Sequence, residues 1–221
     1  MSLTPTETPG HPLSLAEQAF LRLQDRLIFL DIPPGAPLNE GRLSQELNVG
    51  RTPLREAIKR LESEHLVVTY PRRGTFATTV DITALSEISQ VREVLEPLAA
   101  RLAAERRGGA ARPQLEELRD EVLAQGTAQL GRDEALRWDI GIHRAVYVGA
   151  GNSHLRATLE RYSNLATRIW CVVADRLPAL QEHISVHHAL LTAVLEGDPE
   201  EAGTIMFNHV RDFETHIRQV L

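Results

Sequence analysis

The sequence predicts a mainly α-helical protein: an N-terminal winged helix-turn-helix with a small two-stranded wing, then a C-terminal all-α antiparallel helical bundle. Three observations predict it. Two short amphipathic segments around Asn48-Val49-Gly50 are followed by a pair of β-type runs flanking a basic turn. Strand signals vanish from Ile82 onward, where six stretches show helical periodicity. Short glycine-bearing breaks separate those six stretches, as expected for antiparallel neighbours.

Residues 1–13 are rich in Thr, Pro and Ser and predict a disordered arm. Ser14 to Leu30 predicts a helix, with Leu15, Ala19, Leu23, Leu27 and Leu30 near one face. Ser14 with Glu17 three residues on is a capping-box pattern, and Pro33-Pro34-Gly35 stops the segment. Leu43, Leu47, Leu54, Ile58 and Leu61 are the apolar positions of the next two helices. Leu66-Val67-Val68-Thr69-Tyr70 and Thr75-Phe76-Ala77-Thr78 predict strands about the turn Pro71-Arg72-Arg73-Gly74. Residues 14–80 thus form a first domain, and Thr78 to Asp81 a short hinge. Residues 81–221 form a second, with helices over 82–107, 112–129, 133–150, 153–175, 178–196 and 199–220.

Helix, turn, helix and basic wing in that order point to double-stranded DNA. Arg51, Thr52 and Arg55 fall in the opening turns of the second helix, the end that reaches base edges in the major groove. Arg72, Arg73, Gly74 and Thr75 form the wing tip, a second phosphate or minor-groove contact. Charge supports this. The chain carries a net −6, yet residues 42–73 hold seven Lys/Arg against four Asp/Glu, whereas residues 81–221 hold fifteen against twenty-one. The basic patch is local, and the acidic remainder argues against a second nucleic-acid surface.

The 221 residues suffice for one large domain or two small ones, with a sizeable core. The single cysteine, Cys171, excludes an intramolecular disulfide and fits a reducing, cytoplasmic setting; beside Trp170 and Val172 it reads as a small buried hydrophobe. No apolar run is long enough to span a bilayer, and no charged-then-apolar leader opens the chain.

Seven of the nine histidines fall between His143 and His216. Asp139 and His143, at i and i+4, share one helix face. His187 lies on a later helix and His209 on the last. One carboxylate and three imidazoles from three helices of a bundle make a plausible divalent-metal set. Histidines on amphipathic helices are also commonly surface or satisfied core residues, so the residues alone leave both readings open. His183, one turn before His187, is the alternative third ligand. His188 points about 100° away from His187, and His154 and His216 have no partner at useful spacing. Trp138, Tyr147, Tyr162, Trp170 and Phe207 can wall a cavity or simply fill the core.

The run Val49-Gly50-Arg51-Thr52-Pro53-Leu54-Arg55-Glu56-Ala57-Ile58 resembles the V-S-R-T-P-V-R-E-A-L signature of GntR-family bacterial transcription regulators. Leu61-Glu62-Ser63-Glu64-His65-Leu66-Val67 resembles that family's L-x-x-E-G-L-V, and Arg73-Gly74-Thr75-Phe76 its R-G-T-F wing. Three positions depart. Gly50 replaces a serine, and His65 replaces a glycine. Gly41 stands where an arginine is common, with Arg42 one place later as the substitute DNA contact. Residues 85–215 resemble the FCD effector domain of the FadR branch. The carriers are Val91-Arg92-Glu93-Val94-Leu95-Glu96 with Ala99-Ala100, Asp139-x-x-x-His143 with Gly149-Ala150-Gly151-Asn152, His187-x-x-Leu190-x-x-Ala193-Val194-x-x-Gly197-Asp198, and Met206-x-x-His209.

The resemblance implies a divalent transition metal, Zn first and Mn or Ni next, held by Asp139, His143, His187 and His209. It implies a homodimer reading an inverted-repeat operator, controlled by a small carboxylate effector that closes on the metal. Arg92 can fork onto that anion, or it can pair with Glu96 at i+4. Asn152 is a second effector candidate, or the cap of the helix beginning at Ser153. Repression relieved by ligand is the expected mode. Two rivals remain: a regulator in which the ion itself is the signal, and a metal-dependent hydrolase, for which no H-E-x-x-H, nucleophile pair or phosphate loop is present.

Overall fold

A computed structural model describes residues 13–125, 131–176 and 181–220. The predicted arm lies outside the described residues, Leu13 apart. The chain divides into two compact units, residues 2–81 and 82–221.

The first unit begins with α1 (Leu15–Ile28), capped by the Ser14 hydroxyl, which accepts from the Glu17 amide at 3.1 Å. A two-residue strand β1 (Pro37–Leu38) leads into α2 (Glu40–Leu47), whose first turn is closed by Asn39 accepting from the Arg42 amide. Asn48 adopts φ +53 and ends α2; the short polar side chain tolerates that left-handed conformation. The chain then turns into α3 (Arg51–Ser63). Leu23 and Leu27 of α1, Leu43 and Leu47 of α2, and Leu54, Ile58 and Leu61 of α3 are all buried. Their shared removal from water is what holds the three helices together.

After α3 come β2 (Val67–Tyr70) and β3 (Gly74–Ala77), antiparallel, with Val68 opposite Phe76 and Tyr70 opposite Gly74. The hairpin has a third neighbour. β1 pairs with the other edge of β3, so the sheet has three strands in the order β1-β3-β2. The sequence pattern shows only the two longer strands, because two residues beginning with proline carry no alternation. His65 takes φ +59 where the chain leaves α3.

The second unit is a helical bundle. Its helices are α4 (Leu85–Glu105), α5 (Arg112–Gln125), α6 (Arg132–Gly149), α7 (Ser153–Val173), α8 (Gln181–Glu196) and α9 (Pro199–Val220). Short 3-10 turns precede α4 and α5 and follow α7. Helix α4 is the hub, packing against α6, α7, α8 and α9. It can serve four neighbours because Ala99, Ala100, Ala103 and Ala104 let them approach closely. Gly149 ends α6 so near α4 that a Cβ there would sit 3.1 Å from the Gly108 carbonyl and 3.3 Å from the Ala103 methyl. Leu115, Leu118, Trp138, Ile142, Val146, Leu190, Leu191, Val194, Met206 and Val210 complete the main core. Trp138 is therefore core.

Candidate metal centre and nucleic-acid face

The inward face of α6 carries Asp139 and His143, one turn apart. Their neighbours Leu136, Ile140 and Ile142 are buried, so hydrophobic packing sets the helix's rotation and aims both polar side chains at the bundle interior. Helix α8 brings His187 between buried Leu190, Leu191 and the α9 contact; α9 brings His209 beside buried Met206 and Val210. The three imidazoles are buried, and Asp139 is 15% exposed.

The four side chains converge. Asp139 Oδ1 lies 3.7 Å from His143 Nε2, 3.3 Å from His187 Nε2 and 3.5 Å from His209 Nε2. The Nε2 atoms of His143 and His209 are 3.0 Å apart. One ligand atom from each residue lies within 4.8 Å of every other. Four ligands at about 2.0–2.1 Å around a tetrahedral ion stand about 3.3–3.4 Å from each other, so the cluster is close to that size. A carboxylate oxygen and three ring nitrogens facing a common centre make a donor set that a cation would satisfy. Nitrogen-rich, singly carboxylated sets suit Zn, Mn or Ni over Ca or Mg. The residues present therefore fit a divalent transition metal.

Behind His143 stands a buried ion pair. Arg92 Nε donates to Glu96 Oε1 at 2.5 Å, and Glu96 Oε2 lies 2.6 Å from His143 Nδ1. This second approach is short but bent, so its strength is that of a close charge contact more than an ideal hydrogen bond. The Tyr147 hydroxyl also lies 3.3 Å from Nδ1. Burial alone would raise the Glu96 pKa, but Arg92 and His143 outweigh it and hold the carboxyl at about 2. Burial disfavours a charge on His143, and Glu96 and Asp139 overcome it, raising the imidazole above its ordinary value. Burial pushes the Tyr147 phenol well above its usual range. On α7, burial lowers the Arg168 guanidinium to about 10.

Other expected site residues fall differently. Arg92 is buried, paired with Glu96 and placed over the Phe213 ring at 5.0 Å, with Phe213 in turn against Trp170. Asn152 is exposed and caps α7, accepting from the Leu155 amide at 3.1 Å. The His183 side chain lies outside the described residues. His188 is half-buried, while His154 and His216 are exposed. Glu96 is the residue that sequence reasoning treated only as a partner for Arg92. Its i+4 spacing is identical to that of many solvated surface pairs, and burial, which distinguishes it, is not visible in spacing.

In the first unit Arg51, Thr52, Arg55, Arg72, Arg73 and Gly74 are all exposed, along α3 and the wing tip. Arg55 Nε donates to Glu40 at 2.8 Å, and Arg42 Nε donates to Glu46 at 2.5 Å; Glu46 also accepts from Arg26. These partners are exposed enough that water can replace them, so they do not bar a phosphate. Thr75 departs from the expectation. It is buried, on the central strand, and shares a 3.1 Å hydroxyl contact with Thr69 across the ladder, so its side chain packs inside the sheet.

Two family models match the chain. The one described as bacterial regulatory proteins, gntR family, matches residues 15–77, and the FCD domain matches residues 87–212. An HTH-type transcriptional regulator in an unstable DNA locus of Streptomyces ambofaciens is 30% identical over 203 residues, covering 87% of this chain and 80% of that protein. The HTH-type transcriptional repressor RspR of Escherichia coli is 25% identical over 216 residues, covering 97% and 94%. Among solved structures, Escherichia coli McbR/YncC superposes with a TM-score of 0.75 at 23% identity, covering 94% of this chain and 99% of that one.

Proposed function

This chain belongs to the GntR family of bacterial regulatory proteins, with an FCD domain as its second unit, and on that premise we propose a regulator whose DNA affinity answers to a divalent transition metal held by Asp139, His143, His187 and His209. The chain is a DNA-binding regulator and not an enzyme, as its matched relatives are. The observation that carries the metal reading is the convergence of four ligand atoms from α6, α8 and α9 at the spacing of a single ion. Zinc is the first choice, with manganese or nickel next. Asp139, His143, His187 and His209 come from three helices, so an ion held by them would tie those helices together and favour one arrangement over others.

Arg51, Thr52, Arg55, Arg42 and the wing residues Arg72, Arg73 and Gly74 supply the DNA contacts. The protein acts as a homodimer on an inverted-repeat operator, because two equivalent recognition helices match two half-sites. Repression is the expected sense, as for the related repressor RspR. Among the described residues, no helix is long and apolar enough to cross a membrane.

A second reading has its own observation. Arg92 Nη1 is buried with no hydrogen-bond partner, while the same guanidinium feels the charge of Asp139. A small carboxylate coordinated to the ion would satisfy that donor, making the organic acid the signal and the ion its anchor.

The test is elemental analysis of protein made in metal-replete medium, with DNA binding measured on its own promoter region, with and without chelator. One ion per chain is expected, together with a chelator-dependent change in affinity. His143→Ala and His209→Ala should lose the ion and that response, yet keep DNA binding. A metal-free wild type would sink the reading. Metal retained, with DNA affinity changing only on adding organic acids, would favour the second.

A further inference from the structure

We propose that Glu96 is the positioning residue of the metal centre, orienting His143 from behind while Arg92 holds the carboxylate in place. The inference rests on the metal reading above and adds to it a residue that touches no ion.

Three features carry it. First, Glu96 spends one oxygen on each neighbour: Oε1 on Arg92 Nε at 2.5 Å and Oε2 toward His143 Nδ1 at 2.6 Å. The contact at Oε2 is a close approach of charge more than a formed hydrogen bond, and a carboxylate so near Nδ1 favours a proton on that nitrogen. The opposite nitrogen, Nε2, is then left with its lone pair facing His209 Nε2 at 3.0 Å and Asp139 at 3.7 Å. This is the tautomer that a metal-binding imidazole needs. Second, all of it is buried: Glu96 at 0%, His143 at 1% and Arg92 at 4%. In that setting water cannot take over the role, as it would for a surface pair. Third, the pair is fixed to the hub. Arg92 and Glu96 lie on one face of α4, which packs against both α6 and α9, the helices that carry three of the four ligands. The ring of His143 is thus referenced to α4 as well as to its own helix.

The alternative is that the Arg92–Glu96 pair serves the fold alone. The two roles separate by measurement. Glu96→Gln keeps the shape, but its amide end cannot accept from both Arg92 and His143, so one contact must fail. Cobalt(II) and zinc(II) affinities are measured by competition with a chromophoric chelator, together with the cobalt d–d spectrum and the melting of the metal-free protein. A positioning role predicts a roughly 10–100-fold loss of affinity for both ions and an altered cobalt spectrum in protein that still folds. Because a lone buried guanidinium can itself prevent folding, the double variant Arg92→Met with Glu96→Gln, which removes both charges, is measured beside it. The same loss is expected there. Wild-type affinity and spectrum in either folded variant would overturn the proposal while leaving the metal reading intact. A wild type that binds neither ion would overturn both.

Discussion

The two units use charge in opposite ways. In the DNA-binding unit, Arg42 and Arg55 are 76% and 66% exposed and lean on Glu46 and Glu40 across open surface. In the bundle, Arg92 and Glu96 are almost wholly buried and lean on each other inside the core. The bond lengths are alike, but the energetics are not. At the surface water competes for every contact, and the pair is worth little; the arginine stays available to a phosphate. In the interior the desolvation of both charges is already sunk into the fold, so losing one partner strands the other. A residue meant to exchange partners belongs on the outside. A residue meant to hold another still belongs inside.

The sharpest way to break this contrast is to delete one carboxylate from each unit. Glu96→Ala should destabilise the bundle by roughly 3–5 kcal/mol, whereas Glu40→Ala should cost the first unit at most about 1 kcal/mol. Chemical denaturation of the two full-length variants reads both. Equal effects would mean that burial is not what separates the pairs. Next in size is the outcome at the DNA surface. Arg51→Ala should cost roughly 1–3 kcal/mol on a specific site, while Arg72→Ala should weaken all DNA and flatten the dependence on salt. Titrations at several salt concentrations with specific and random duplexes test this; wild-type binding by both variants would remove these residues from the interface. The smallest effect is conformational. His65 sits at φ +59, which glycine adopts freely and other residues at some cost. His65→Gly should gain up to about 1 kcal/mol without altering metal content, and a loss of stability would show that the imidazole makes a contact worth more than the strain.

The same contrast explains what the sequence made legible. The helix-turn-helix and wing lie within some forty consecutive residues, so local pattern identifies them: the Asn48 break, the cationic first turn of α3, the basic turn between β2 and β3. The ligand set spans residues 139 to 209, and only Asp139 and His143 share a helix; composition made His187 and His209 plausible, and family resemblance singled them out. Glu96 was hidden because an i, i+4 ion pair has the same spacing whether it is wet or dry. Strand β1 was hidden because two residues cannot show a period. Thr75 has the sequence of a wing tip, yet it stands on β3, the central strand of the sheet, and its side chain is buried.

The candidate metal site has one partly open side. His143, His187 and His209 are sealed beneath the helices, and only Asp139 keeps a modest exposure, 15%. An ion so placed can leave by two routes, past that carboxylate or through a transient parting of the helices. Both are slower than diffusion, and helix parting belongs to the microsecond-to-second range of local opening. Release would then be timed by the bundle and not by the strength of the coordinate bonds alone. Under the proposed metal reading, such a regulator would average over brief swings in metal supply, and its DNA occupancy would report a past interval more than a present instant.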